Sequence, residues 1–189
     1  MAAAQVPLSG TRHLFDLVAG GGSSLSLPSD VAIGAGGKVY VVDAGNNRVA
    51  VFSGAGKFLF AFGGKGEGNG EFADPVGIGT DAQGRVYVAD SGNRRIQIFD
   101  ANGRFGGSFR TGNVRPIDVA PTPDGQTLYV TGGHRVTAYS ASGQVLRQWG
   151  SEGEAEGEFR YPASVLVAPD GKVYVVDALN SRVQIFEPQ

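Results

Sequence analysis

Short apolar runs of four or five residues recur along the chain, each pair meeting at a compact polar hinge. The stretches VYVVDAGNNRVAVF from Val39, VYVADSGNRRIQIF from Val86, LYVTGGHRVTAY from Leu128 and VYVVDALNSRVQIF from Val173 share this layout. The first run of each is apolar on both faces, which predicts a strand sandwiched between layers. The second alternates, with Val49/Val51, Ile96/Ile98, Val136/Ala138 and Val183/Ile185 on one face, which predicts a strand that packs one side against a neighbour.

Upstream of each pair stands a proline, an apolar segment and a Gly turn, as in LPSDVAIGAGGK, DPVGIGTDAQGR, RPIDVAPTPDGQT and YPASVLVAPDGK. Downstream, after the first three pairs, come a second Gly turn and another apolar segment: GAGKFLFAFG, DANGRFGGSFRTG and SASGQVLRQWG. Each unit therefore predicts four short antiparallel strands, named a to d. Pro28, Pro75, Pro116 and Pro162 lie 47, 41 and 46 residues apart, the period of four-stranded propeller blades.

The expected fold is all-β, a β-propeller of four-stranded antiparallel blades, over residues 11–189, with repeats at about 27–72, 73–113, 114–159 and 160–189. Residues 1–10 are expected to be a flexible lead. The last repeat stops after strand c, and TRHLFDLVAGG, Thr11 to Gly21, has the pattern of an orphan strand d. Pairing of residues 11–21 with the last repeat would close a ring of four blades within one chain, while two chains could instead join into a larger ring. A blade buries neither face alone, so the units need such a ring.

The stretch GKGEGNGEFADPVGIGTDAQGRVYVADSGNRRIQIFDANGRFGGSF, with its glycine lead-in, Pro, VYVAD and NRRIQIF in order, resembles an NHL repeat. The resemblance covers about Leu27 to Phe186. It departs from that family in lacking the Asn-His-Leu tripeptide, in the hinge of the third unit, and in having four units where six are usual. It implies a propeller used mainly as a binding platform for proteins, peptides, carbohydrates or RNA, with some relatives acting as lyases or hydrolases.

Composition narrows these readings. The 31 glycines suit many tight turns. A net charge of −2 disfavours nucleic acid as the main partner. No cysteine is present, so disulfides and thiol chemistry are excluded, and two histidines cannot build a three-histidine zinc site. No apolar run reaches the roughly 20 residues of a spanning helix, so the chain is expected to be soluble. Small residues at Ala2 and Ala4 fit a cleavage region, which would place the protein outside the cytoplasm; the compartment stays open.

At the hinges, Asp43, Asp90 and Asp177 end strand b, and Arg48, Arg95 and Arg182 begin strand c. Repetition in three units favours a structural corner pair, braced by turn asparagines. The third hinge, TGGHR, breaks the pattern. Loops d–a and b–c share one face, and there the expected binding set is Asn46, Asn47, Lys65, Asn93, Arg94, Arg115, His134, Glu152 and Asn180. His13 is expected to be structural. The glycine-rich loops around Glu67 and Glu154 lack P-loop and EF-hand patterns, and no motif asks for a metal or cofactor.

No nucleophile elbow or Ser/His/Asp set stands out. The favoured function is a non-enzymatic scaffold binding a protein or peptide through the loop face, within a larger assembly in one version of this reading. The alternative is a hydrolase or lyase of lactonase-like, metal-assisted type in the central channel, which carboxylates converging on the axis would favour. RNA or carbohydrate binding is the lesser alternative.

Overall fold

A computed structural model of the protein describes residues 13–18 and 24–188. Among the described residues fifteen strands form four antiparallel sheets. The first blade is β1 (Pro28–Ile33), β2 (Val39–Asp43), β3 (Arg48–Phe52) and β4 (Phe58–Gly63). The second is β5 (Pro75–Thr80), β6 (Val86–Asp90), β7 (Arg95–Phe99) and β8 (Phe105–Arg110). The third is β9 (Asp118–Pro121), β10 (Thr127–Gly132), β11 (Arg135–Ser140) and β12 (Val145–Trp149). The fourth has β13 (Pro162–Val167), β14 (Val173–Asp177) and β15 (Arg182–Phe186). Only single 3-10 turns interrupt the strands among the described residues, and no helix there is long and apolar enough to cross a membrane.

Register follows from the hinges. Asp43 faces Arg48, Asp90 faces Arg95 and Asp177 faces Arg182 across the b–c turn. In three of these turns the residue just before the arginine, Asn47, Arg94 or Ser181, takes a left-handed backbone at φ of 51 to 54°. Such positions cost side-chain-bearing residues something, and asparagine least.

Blades one to three each pack one face on the next, through the apolar strand b and the apolar face of strand c. Tyr40, Val42, Val49 and Val51 of blade one meet Val86, Val88 and Phe99 of blade two. Tyr87, Ala89 and Ile96 meet Val119, Leu128 and Val130 of blade three. Tyr129, Val136 and Ala138 meet Val165, Val173 and Val175 of blade four. One strand-d aromatic reinforces each seam: Phe62 lies 4.8 Å from Phe99, Phe109 5.0 Å from Tyr139, and Trp149 5.4 Å from Phe186.

The outer face of blade four is different. Val42, Val49 and Val51 are wholly buried, whereas their counterparts Val176, Val183 and Ile185 are 39%, 55% and 55% exposed. The pairing expected between residues 11–21 and the last repeat is not formed among the described residues. His13–Val18 carry no strand, and Leu17 instead packs against Val41, Ala50 and Phe52 of blade one. Residues 11–12 and 19–21 of that segment, and the lead 1–10, lie outside the described residues.

Candidate ligand channel on the propeller axis

The innermost strand of blades one, two and four starts at its proline and that of blade three two residues after Pro116, and the position two residues after each proline lines the axis. Those positions are Asp30, Gly77, Asp118 and Ser164, so two carboxyls, a gap and a hydroxyl meet there. Asp30 Oδ1 accepts from its neighbour Val31 N at 2.8 Å, and Oδ2 accepts across the seam from Ile78 N of blade two, also at 2.8 Å. Asp118 Oδ1 accepts from Val119 N at 2.7 Å. Its Oδ2 accepts from Ser164 Oγ at 2.8 Å and Val165 N at 2.9 Å, both on blade four. The inner strands are thus tied to one another by carboxylates.

Glycine at position 77 makes this convergence possible. A Cβ there would fall 2.6 Å from Asp118 Cα and 2.6 Å from Ile117 O. With the gap left open, Asp30 and Asp118 both line the axis and the charge of one bears on the other. Burial, then the Asp118 charge, pushes the Asp30 carboxyl up to about 6. Burial likewise raises Asp118, which is only 7% exposed. Two carboxyls so placed oppose each other's ionisation, so the pair gives up its protons less readily than free aspartates.

The pair sits at a waist. On one side is a cavity of about 630 Å³, lined by apolar residues such as Val31, Ile33 and Val167 together with polar ones such as Thr80 and Asp81, and reaching the a–b turns at Ala35, Ala82 and Pro123. On the other side is a pocket of about 100 Å³ bounded by Ser29, Gly77 and Ala163. The larger cavity has the size of a small-molecule or peptide side-chain site.

The hinge carboxylates are saturated by their own corners. Asp90, fully buried, accepts from Ala73 N (2.8 Å), Asn93 Nδ2 (2.9 Å), Arg95 Nε (2.6 Å) and Gln97 Nε2 (3.1 Å). Asp177 accepts from the equivalent set, Arg160 N, Asn180, Arg182 and Gln184. Burial works against its charge, but these four donors outweigh it and hold the Asp177 carboxyl below the usual range. Asp43 accepts from Ser26 N, Asn46 and Arg48. These corners have no acceptor capacity turned toward a ligand.

The residues expected on the d–a and b–c face lie there, away from the large cavity. Asn46, Asn93 and Asn180 spend their amides on the corner carboxylates and on the carbonyls of Ser24, Gly66 and Gly153. Asn47 accepts from Asp74 N, and Arg115 bonds the Asp74 carboxylate at 3.0 Å. His134 Nδ1 lies 3.2 Å from Phe159 O, with its Nε2 3.8 Å from Glu152. Arg94 lines a shallow groove with Asn93, Glu67 and Arg110. Lys65 bridges Phe72 through its backbone. No three His, Cys, Asp or Glu side chains cluster to hold a metal among the described residues.

Sequence reasoning passed over Asp30 and Asp118. Their signal is an acid two residues after the repeat proline, on a strand otherwise apolar, and at a position where the four units read Asp, Gly, Asp and Ser.

A domain family described as a 6-bladed beta-propeller (DUF5128) matches residues 25–148, and an NHL repeat matches residues 159–186. The chain is 34% identical over 91 residues to peptidyl-glycine alpha-amidating monooxygenase A of Xenopus laevis, covering 44% of this chain and 10% of that one. The Mus musculus protein of that name is 32% identical over 81 residues, covering 39% and 8%. Among solved structures, a streptogramin B lyase superposes with a TM-score of 0.67 at 17% identity, covering 88% of this chain and 53% of that one. A Kuenenia stuttgartiensis hydrazine synthase gives 0.61 at 13%, covering 96% and 53%. The chain therefore spans about a tenth of those curated relatives and about half of those structures. At such identities the structural likeness shows the fold alone.

Proposed function

The chain belongs to the 6-bladed beta-propeller family, and on that premise we propose that it is a non-enzymatic binding module whose axial cavity receives a basic group from a protein or peptide partner. The observation that carries this reading is the carboxyl pair Asp30 and Asp118 at the base of a cavity of about 630 Å³ lined by both apolar and polar residues. Holding a second negative charge there is costly, because burial and mutual repulsion oppose it. A guanidinium or ammonium entering from the a–b face would remove that cost and gain charge-assisted hydrogen bonds. The apolar residues of the lining would pack against its methylene stem.

This reading places recognition on the face opposite the loop residues Asn47, Arg94 and His134, which take no part in it. It is tested by calorimetry at pH 7.5 with an arginine-containing peptide and the same peptide carrying citrulline. Wild type should bind the arginine form at least tenfold more tightly, about 1.4 kcal/mol. Asp118→Asn should erase the difference. Equal binding of the two peptides would count against the proposal.

One observation favours a second reading. A carboxyl titrating near 6 beside another acid can donate or accept a proton at neutral pH, the requirement for acid–base catalysis. Several relatives are named as lyases or monooxygenases. Turnover of any candidate substrate with a bell-shaped pH profile lost in Asp30→Asn would select this alternative.

A further inference from the structure

We propose that the groove beside the b–c hinge of blade two binds a phosphate monoester through Arg94 and Arg110. The inference is independent of the axial ligand reading and rests on two places where this blade departs from its neighbours, both times to arginine.

The first departure is in the hinge. Asn47 of blade one, Arg94 of blade two and Ser181 of blade four hold equivalent left-handed positions, with φ of 51 to 54°. Asparagine takes that backbone at least cost, so the turn itself does not call for arginine. The corner is closed by Asp90, Asn93 and Arg95. Arg94 is exposed, and its side chain makes no hydrogen bond or ion pair among the described residues.

The second departure is at the end of strand d. The residue paired with the hinge arginine is Gly63 in blade one and Arg110 in blade two, and Gly150 directly follows β12 in blade three. A Cβ on Gly63 or Gly150 would collide with the ring of Phe72 or Phe159, which belong to the linkers that follow. Those linkers take 12 residues to reach Pro75 and Pro162, whereas Pro116 follows Arg110 by only 6, through TGNVR, which has no aromatic residue. The short linker leaves room for a side chain, and a guanidinium fills it. Arg110 faces Arg95 across the β7–β8 ladder, an arrangement that is unfavourable for like charges. Asp90 meets the charge of Arg95 at 2.6 Å, while Arg110 is exposed and meets no carboxylate among the described residues.

The backbone brings the two arginines together. Arg94 O accepts from the N–H of Thr111, the residue after Arg110, at 3.0 Å, and Thr111 Oγ1 donates to Val114 O at 2.7 Å. Both arginines line a groove of about 260 Å³ with Glu67, Gly92, Asn93 and Arg95. Two guanidiniums without carboxylate partners match the charge of a phosphate monoester near neutral pH, and their planar forks suit its oxygens. The equivalent positions of the other corners hold Asn47 and Ser181, Gly63 and Gly150, so this charge is local to blade two. It fits one phosphate group rather than a nucleic-acid backbone, which draws its affinity from many phosphate contacts.

Calorimetry at pH 7.5 and low salt, with inorganic phosphate, a phosphoserine peptide and the diester dimethyl phosphate, tests this. The peptide or inorganic phosphate should occupy one site at least tenfold more tightly than the diester, and added salt should weaken it. Tighter binding of the peptide assigns the group to a partner's side chain, and equal affinity assigns it to the free ion. Arg94→Asn, the residue of the first hinge, and Arg110→Gln should each lower the affinity about tenfold. Arg94→Asn should leave the melting temperature unchanged or raised, because the turn does not need arginine. Arg104→Gln removes the same charge from a c–d turn on the opposite face and should bind as wild type does. No saturable binding at millimolar phosphate, equal binding of the diester, equal losses in Arg94→Asn and Arg104→Gln, or a lower melting temperature in Arg94→Asn would each overturn the proposal.

Discussion

Replacing Asp90 by alanine should destabilise the protein by about 3 to 5 kcal/mol, the usual cost of breaking a buried ion pair from one side. The carboxylate is fully buried and receives four donors, among them Arg95, whose side chain is 11% exposed. In Asp90→Ala the guanidinium keeps its bonds to the carbonyls of Gly68 and Glu71, so its charge is solvated in part. Ala73 N loses its acceptor outright, and Gln97 Nε2 keeps only Glu71 O as acceptor. The loss falls at one b–c corner, but that corner also anchors the d–a linker through Ala73, so blades one and two should loosen together. For a chain of this size the melting temperature should fall by about 10 °C. Urea unfolding followed by circular dichroism measures the difference. Asp74→Ala serves as control, since its pair with Arg115 is exposed on both sides, and should cost under about 1 kcal/mol. Asp90→Ala and Asp74→Ala within error of each other would refute the view that these hinges are structural corners.

Three further outcomes follow from the axis. Folded Asp30 keeps its proton up to a pH of about 6, while the unfolded carboxyl loses it near 3.8, so between those values the folded state binds more protons and stability falls as pH rises. The full shift would amount to about 3 kcal/mol, reduced to about 1 because Asp30 is partly exposed; Asp30→Asn should flatten this slope in chemical denaturation between pH 4 and 7. Gly77→Ala should push the inner strands of blades two and three apart, costing about 2 kcal/mol and closing the waist, which denaturation and peptide binding would both register. Lowering the pH from 7.5 to 5 should weaken binding of the arginine peptide about tenfold, since protonating Asp30 leaves the pair with less charge to offer.

The blades were legible because their signals are local and repeat. Paired apolar runs, a proline before each and glycines after them fix strand order and register, and the Asp–Arg spacing sets the b–c hairpin at Asp43–Arg48 and its copies. The axial site was not legible, because Asp30 and Asp118 are 88 residues apart and meet only when three inner strands converge around Gly77. Read singly, each is one acid after a proline. The orphan segment was recognisable as strand-d-like from its pattern, yet sequence could not show that its described residues would lie on blade one through Phe15 and Leu17 without a strand partner.

Carbon-detected NMR titration of the aspartate carboxyls follows the coupling of Asp30 and Asp118 on the axis. Asp30 should titrate near pH 6 in step with a response at Asp118, and Asp118→Asn should bring Asp30 part of the way back toward the ordinary aspartate range. Independent titration of both groups below pH 4.5 would contradict it.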